Sequence, residues 1–281
     1  MNVIVKFCRA VFIALMQIGA LAVWINGAHA VEDVEALLDQ ALAGEHRAAP
    51  NRARDGYRHP KETLLFMGLK PTMTVVEVWP SSGWWTEILA PVLKDQGKYY
   101  AAYYATEAKN TPDFLKQRER EYDAMVAGRS DLYGKLIKTK LLAPEFVNLA
   151  PKGSADMVLT FRNVHNWAKA GNAEAMFKAF YDVLKSGGVL GVKDHRAKPG
   201  TSFEEQVKSG YLTEEYVIGI AQKSGFKLAG KSELNANAKD TTEHPEGVWT
   251  LPPTLRLKDK DKDKYLAIGE SDRMTLKFVK P

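Results

Sequence analysis

Cysteine is nearly absent. The single one, Cys8, sits inside an N-terminal apolar stretch and does not follow the small apolar residues of a lipoprotein acceptor site, so no thiol remains in the rest of the chain. That excludes disulfides, thiolate metal sites and a cysteine nucleophile there. No G-x-S-x-G occurs, which removes the nucleophile elbow of an α/β hydrolase. His59, His165, His195 and His244 could be imagined around zinc, but no H-x-x-x-H spacing supports it. Basic side chains barely exceed acidic ones, 39 against 34, and no stretch concentrates Lys and Arg with aromatics, so nucleic acid is not expected as a partner. Internal repeats and long Pro/Gly/Ser linkers are also missing.

What is present begins with an address label. Lys6 and Arg9 form a basic start, Ala10 to Ile25 is a run of 16 mostly apolar residues, and Ala28-His29-Ala30 gives the small-x-small pattern of a cleaved signal peptide. Cleavage is expected after Ala30, which makes the protein exported and periplasmic. The run falls short of the roughly 20 residues a membrane span needs, so no stable membrane insertion is expected after cleavage; an uncleaved anchor is the alternative. Without the label, 37 basic side chains face 34 acidic ones, a formal charge of +3. The remaining roughly 250 residues, 31–281, suit one α/β domain with a single core.

The stretch Thr74 to Pro91 organises that domain. A β-branched run, Thr74 to Val78, leads into a turn cluster, Pro80 to Gly83, and then into helical spacing from Trp84 to Leu93. Such a strand-turn-helix unit opens a nucleotide-binding fold, with its turn where an open parallel sheet binds ligand. Upstream, 31–43 reads as an amphipathic helix, 51–60 as a polar loop, and 61–67 as a short helix. In that loop Arg54, Asp55, Arg58 and His59 form either a lip over a pocket or a solvated surface. Downstream, strands are expected at 97–104, 135–142, 156–161, 189–192, from 226, and at 274–279. Helices are expected at 114–126, 172–184 and 213–224, with a turn at 185–188. The alternation predicts a doubly wound, mostly parallel sheet of about seven strands with an antiparallel C-terminal strand. Residues 235–270 read as an irregular, lid-like insertion.

At this point the residues resemble a family. Glu77-Val-Trp-Pro-Ser-Ser-Gly83 stands where class I S-adenosylmethionine-dependent methyltransferases carry E-x-G-x-G-x-G. Asp156-Met-Val-Leu-Thr-Phe161 followed by His165 resembles their fourth-strand motif, and Leu184-Lys-Ser-Gly-Gly-Val-Leu190 their turn into strand five. Tyr57-Arg-His-Pro60, Arg162-Asn-Val-His-Asn-Trp167, Asp194-His-Arg196 and Gly269-Glu-Ser-Asp-Arg-Met274 resemble a family of exported bacterial predicted methyltransferases. The resemblance implies a Rossmann-like methyltransferase fold, S-adenosylmethionine as cofactor and a small-molecule substrate. It implies cofactor contacts from Glu77, Trp79, Ser81, Gly83, Glu107 and Asn163. Two motif glycines are replaced, by Trp79 and Ser81, and Tyr103 and Tyr104 stand where a ribose-binding carboxylate is expected, with Glu107 a few residues late.

Methyl transfer is an in-line displacement at a carbon already activated by sulfonium, so the protein mainly aligns the acceptor and takes its proton. On this resemblance His165 or His195 is the general base, and Asp194 orients a histidine or a hydroxyl. Asn163 would hold the acceptor or the cofactor's carboxylate. Asp259, Asp261, Asp263 and Glu270 have EF-hand spacing, but Lys264 replaces the obligatory glycine and lysines intervene, so a solvated turn and no metal are expected. Against the enzyme stands a second reading, a non-catalytic periplasmic binding module on the same fold, favoured by Trp79 and Ser81.

Overall fold

A computed structural model of the chain describes residues 34–109 and 111–281. The export signal expected at 1–30 lies outside the described residues. Among those described, no helix is long and apolar enough to cross a membrane.

The strands are β1 (Thr74–Val78), β2 (Lys98–Tyr104), β3 (Ile137–Leu142), β4 (Phe146–Asn148), β5 (Ala155–Phe161), β6 (Leu184–His195), β7 (Lys227–Ser232) and β8 (Arg273–Val279). They form one sheet in the order β4-β3-β2-β1-β5-β6-β8-β7. From β3 to β6 neighbours run parallel; β4, β8 and β7 pair antiparallel at the two edges. The expected doubly wound sheet is therefore present, with one strand more than the seven anticipated. The extra one is β4, three residues long and too short to show a period in sequence. Because the chain winds outward from β1 through β2 to β3 and then from β5 to β6, the winding reverses between β1 and β5. A crevice opens at that point, beyond the carboxyl ends of the strands.

The helices are α1 (34–43), α2 (Ala49–Arg52), α3 (Asp55–Arg58), α4 (Pro60–Met67), α5 (Thr86–Leu93), α6 (Asp113–Gly128), α7 (Ser130–Tyr133), α8 (Val164–Ala170), α9 (Ala173–Val183), α10 (Phe203–Ser209), α11 (Glu214–Lys223) and α12 (Lys262–Ile268). Alternation along the strands decides what each face buries. Val76, Val78, Val158, Leu190 and Val192 face α8, α9 and α11, where Trp167, Phe177 and Phe180 are fully buried. Val75, Met157 and Leu159 face α1, α4 and α5 through Leu38, Leu64, Met67 and Ile88. Fully burying each such side chain contributes about 1.5–3 kcal/mol, which outweighs the mediocre helix propensity of the β-branched and aromatic residues involved.

Two local expectations need correcting. Residues 51–60 are not a loop: they belong largely to α2 and α3, single turns held by a bidentate Arg47–Asp55 pair at 2.6 and 2.8 Å. His59 then turns the chain at φ 42° into α4, which starts on Pro60. The turn at 185–188 is embedded in β6 as an outward excursion. Leu184 opposes Ala155 but Val189 already opposes Met157, and Gly187 bends at φ 78° while its N–H donates to Lys280 O at 2.7 Å.

Candidate functional site

The turn after β1 keeps the backbone path of a glycine-rich loop without most of its glycines. Trp79, Ser81 and Gly83 all adopt left-handed conformations, with φ of 51°, 55° and 84°. For the two residues with a Cβ this costs about 1–2 kcal/mol each, so the surroundings must hold them. The Trp79 N–H donates to Ala102 O at 2.9 Å, and its indole Nε1 donates to Leu141 O at 2.9 Å. The ring lies edge-on to Tyr104 and Trp167, with centroids 4.9 and 5.4 Å away, which turns it toward the end of β3. Ser81 O accepts from Tyr103 Oη at 2.8 Å, and Ser81 Oγ accepts from Arg118 at 2.9 Å. With the indole drawn aside, a cavity of about 870 Å³ runs from Glu77 and Trp79 past Asn163 to His165 and His195. That volume lies within the usual range of small-molecule sites.

Glu77 sits at the base of the cavity, 2% exposed. Thr86 Oγ1 donates to its Oε2 at 3.1 Å, and the Tyr99 hydroxyl donates to the same oxygen. Burial pushes the Glu77 carboxyl up to about 7, with the two hydrogen bonds pulling the other way. Asn163, at the N-terminus of α8, braces the crevice: its Nδ2 donates to Val78 O at 2.9 Å and to Thr160 Oγ1 at 3.2 Å. The amide therefore presents its oxygen, which suits an ammonium or a hydroxyl and not a carboxylate.

Behind the crevice, Asp194 ties two strand ends together. It is fully buried, and period-two alternation in β6 places it on the side of α8 while Lys193 and His195 face the other way. Its Oδ1 lies 2.8 Å from His165 Nδ1 and accepts the His195 backbone N–H at 2.8 Å. A carboxylate there fixes the His165 proton on Nδ1 and leaves Nε2 as a lone-pair acceptor, with no partner among the described residues, on a ring that lines the cavity. His195 is built differently. Its Nδ1 meets Ser271 Oγ at 2.5 Å and its Nε2 accepts from Arg162 Nε at 3.3 Å, so both ring nitrogens are in use. Burial first, then the neighbouring Arg162 charge, push the His195 imidazolium well below its ordinary range and keep the ring neutral.

One ligating atom from each of His165, Asp194 and His195 falls within 4.8 Å of the others. The donor set does not fit a cation. Asp194 Oδ1 already accepts two N–H groups, Arg162 occupies His195 Nε2, and Arg54, Arg58, Lys193 and Arg273 line the same cavity. The arrangement is suited to holding and moving a proton.

Of the residues expected from sequence, Glu77, Trp79, Ser81, Asn163, His165 and His195 line one cavity, Gly83 supports the turn from behind, and Asp194 backs His165. Glu107 is not brought there. It is half exposed and paired with Lys140 at 3.1 Å, because β2 ends three residues earlier, at Tyr104, and the chain turns outward. Of the described acidic residues, only Glu77 and, from α6, Glu121 line this cavity. Sequence reasoning also missed Lys193, Trp249 and Arg273. For Lys193 a signal existed: it interrupts an apolar strand two residues before His195, and alternation puts both on one face. Arg273 stands directly across from His195 in the β6–β8 register, which no local pattern reveals. Arg196, adjacent in sequence, points away and is held by Asp272, Glu214 and Glu233.

No protein-family model matches this sequence, and no curated protein matches it. Solved structures do. An S-adenosylmethionine-dependent methyltransferase from Aquifex aeolicus superposes with a TM-score of 0.52 at 16% identity, over 82% of this chain and 93% of that one. The [4+2]-cyclase SpnF superposes with a TM-score of 0.54 at 13% identity, over 89% and 94% of the two chains. One scaffold thus carries two different chemistries in these neighbours, so the likeness bears on fold and the site must argue function. The chain has the Rossmann-like, doubly wound α/β fold found in these two structures.

Proposed function

We propose that the protein is an S-adenosylmethionine-dependent methyltransferase acting on a small molecule. The observation that carries this reading is the continuous cavity between a turn with three left-handed residues, Trp79, Ser81 and Gly83, and the free Nε2 of His165. The binding-module alternative rested on Trp79 and Ser81 replacing glycines. Their φ values of 51° and 55° remove that argument, because the backbone path is kept and the indole is turned aside.

The residues fit the cofactor. The backbone of 79–82 would lie against its ribose and methionine portions, the faces of Trp79 and Tyr104 would meet the adenine or the sulfonium, and Asn163 Oδ1 would accept from the amino group. When bound, S-adenosylmethionine supplies an electrophilic methyl carbon. His165 Nε2 accepts the acceptor's proton while Asp194 holds the ring and stabilises its charged form. His195 is a positioning residue that ties Arg162 to Ser271 behind that ring. Trp249, 6.2 Å from His165, closes the wall and limits water.

The reading extends to the sequence family and compartment: an exported bacterial methyltransferase whose leader, residues 1–30, is removed. Fractionation with N-terminal sequencing should give a periplasmic species starting at Val31. Calorimetry tests the core of the proposal. S-adenosylmethionine and S-adenosylhomocysteine should each saturate a single site, and His165→Ala should bind both while losing turnover. Silence with both ligands at millimolar concentration returns the protein to the binding-module class.

A further inference from the structure

One wall of the cavity carries more positive charge than its own partners neutralise. Arg54 and Arg58 reach it from the α2–α3 segment, Arg162 from the end of β5, Lys193 from β6 and Arg273 from β8. Among the described residues Glu270 is the one carboxylate paired with this group: it meets Arg54 at 2.5 Å, Arg58 at 3.3 Å and Arg273 in close contact. Asp194 is already committed to His165 and His195.

Several donors are left over. Lys193 is 1% exposed, yet its ammonium meets only neutral oxygens, Arg58 O at 3.0 Å and Asn235 Oδ1 at 3.5 Å. Arg54 Nη2 and Arg273 Nε are buried without an acceptor. Arg162 spends Nε on His195, and its two Nη groups have no acceptor among the described residues. It is also held at φ 64°, a strained conformation for arginine that aims a strand-end side chain into the cavity. A buried cation lacking a counter-charge is strongly destabilising, so a fold that collects them needs an anion from elsewhere. Around the charges stand flat rings. Trp85 stacks on Phe161 with centroids 4.0 Å apart, Lys193 Nζ lies 4.6 Å from the Trp85 centroid, and the Arg58 guanidinium lies 4.5 Å from that of Trp84.

We propose that this wall is an oxyanion subsite, and that the molecule methylated here carries a carboxylate or a phosphate on a flat, unsaturated body. Arg162 and Lys193 bind the oxyanion, Arg58 and Arg273 neutralise it from behind, and the Trp85–Phe161 stack packs against the body. An anion there leaves the opposite end of the acceptor near His165. Burial first, and then Arg273 and Arg58, hold the Lys193 ammonium well below its ordinary range; a bound oxyanion restores its charge. The acceptor assignment rests on the methyltransferase reading; the anion subsite does not.

Calorimetry on the full protein separates the two. S-adenosylhomocysteine is titrated first, and benzoate, phenyl phosphate and benzamide are then titrated into the saturated protein. Benzoate or phenyl phosphate should bind one-to-one, the tighter of them distinguishing carboxylate from phosphate, while neutral benzamide should not bind. Lys193→Met and Arg162→Gln should each weaken that anion by about tenfold to a hundredfold, with S-adenosylhomocysteine binding and the far-ultraviolet circular dichroism unchanged. Equal binding of benzamide, no binding of either anion, or anions that bind only when S-adenosylhomocysteine is left out would overturn the proposal; the last outcome assigns the charges to the cofactor's own carboxylate. Anion binding without any S-adenosylhomocysteine binding would keep the subsite and remove the methyltransferase.

Discussion

His165 Nδ1 and Asp194 Oδ1 lie 2.8 Å apart, and this one contact decides which ring nitrogen of His165 meets the cavity. Asp194→Asn puts that to work as a test. An amide in place of the carboxylate can donate to Nδ1, which moves the ring proton to Nε2, the wrong tautomer for a base. Turnover should fall by roughly 10²- to 10⁴-fold, the usual contribution of a positioned base. Long-range proton–nitrogen spectra should show the tautomer exchange directly, with S-adenosylhomocysteine binding retained. An unchanged His165 tautomer would show that something other than Asp194 sets the ring.

The turn after β1 gives a matched pair of variants. Gly83→Ala places a Cβ 2.6 Å from Met125 Cε at φ 84°, so both contact and conformation oppose it. A loss of about 1–3 kcal/mol is expected in urea unfolding. Ser81→Gly relieves a left-handed serine but loosens the unfolded chain and removes the hydroxyl that accepts from Arg118. Those effects oppose one another, and stability should change by less than about 1 kcal/mol. A Ser81→Gly gain well beyond that would mean the wild-type loop is more strained than its φ suggests.

How much of this was legible in the sequence depends on the range of the interaction. The Thr74–Val78 strand, the turn after it and the helix expected at 213–224, where Thr213 Oγ1 accepts from Tyr216 N at 3.2 Å, are local patterns and read directly. So did the placing of His165 and Asp194 at neighbouring strand ends, because parallel winding puts successive strand ends on one edge. The pairing of β8 between β6 and β7 was not legible, and with it went Arg273 and Glu270; Glu270 meets Arg54 and Arg58 from more than two hundred residues away in sequence. Short elements such as β4 and α10 also escaped, although Ser202 and Glu205 form a capping box that marks the start of α10.

Glu270 should be the residue the lower part of the acid limb depends on. Burial alone would raise its carboxyl, but Arg273, Arg58 and Arg54 more than offset that and hold it well below the ordinary 4.5. A depressed carboxyl contributes stability that is complete above its unfolded value and is lost as pH falls through the folded one. Unfolding measured from pH 5 downward should therefore show a loss that Glu270→Gln lacks. At pH 7 the same variant leaves Arg58 and Arg273 buried without their carboxylate and should cost about 3–5 kcal/mol. A Glu270→Gln protein as stable as wild type at pH 7 would mean that solvent already neutralises those arginines.

Glu77 should act with the opposite sign. Burial raises its carboxyl from 4.5 to about 7, despite the hydrogen bonds from Tyr99 and Thr86. For a raised carboxyl the folded state holds the proton more tightly than the unfolded one, so its contribution is complete below pH 4.5 and declines as pH rises toward 7. Across that window wild type should lose on the order of 1–3 kcal/mol through this group, a loss that flattens out above pH 8. Glu77→Gln keeps an oxygen for the Tyr99 and Thr86 hydroxyls but has no proton to lose. The variant should therefore match wild type near pH 4.5 and exceed it at pH 8. Paired urea curves at the two pH values measure the difference, and parallel profiles would mean that water reaches the carboxylate through the cavity and keeps its titration ordinary.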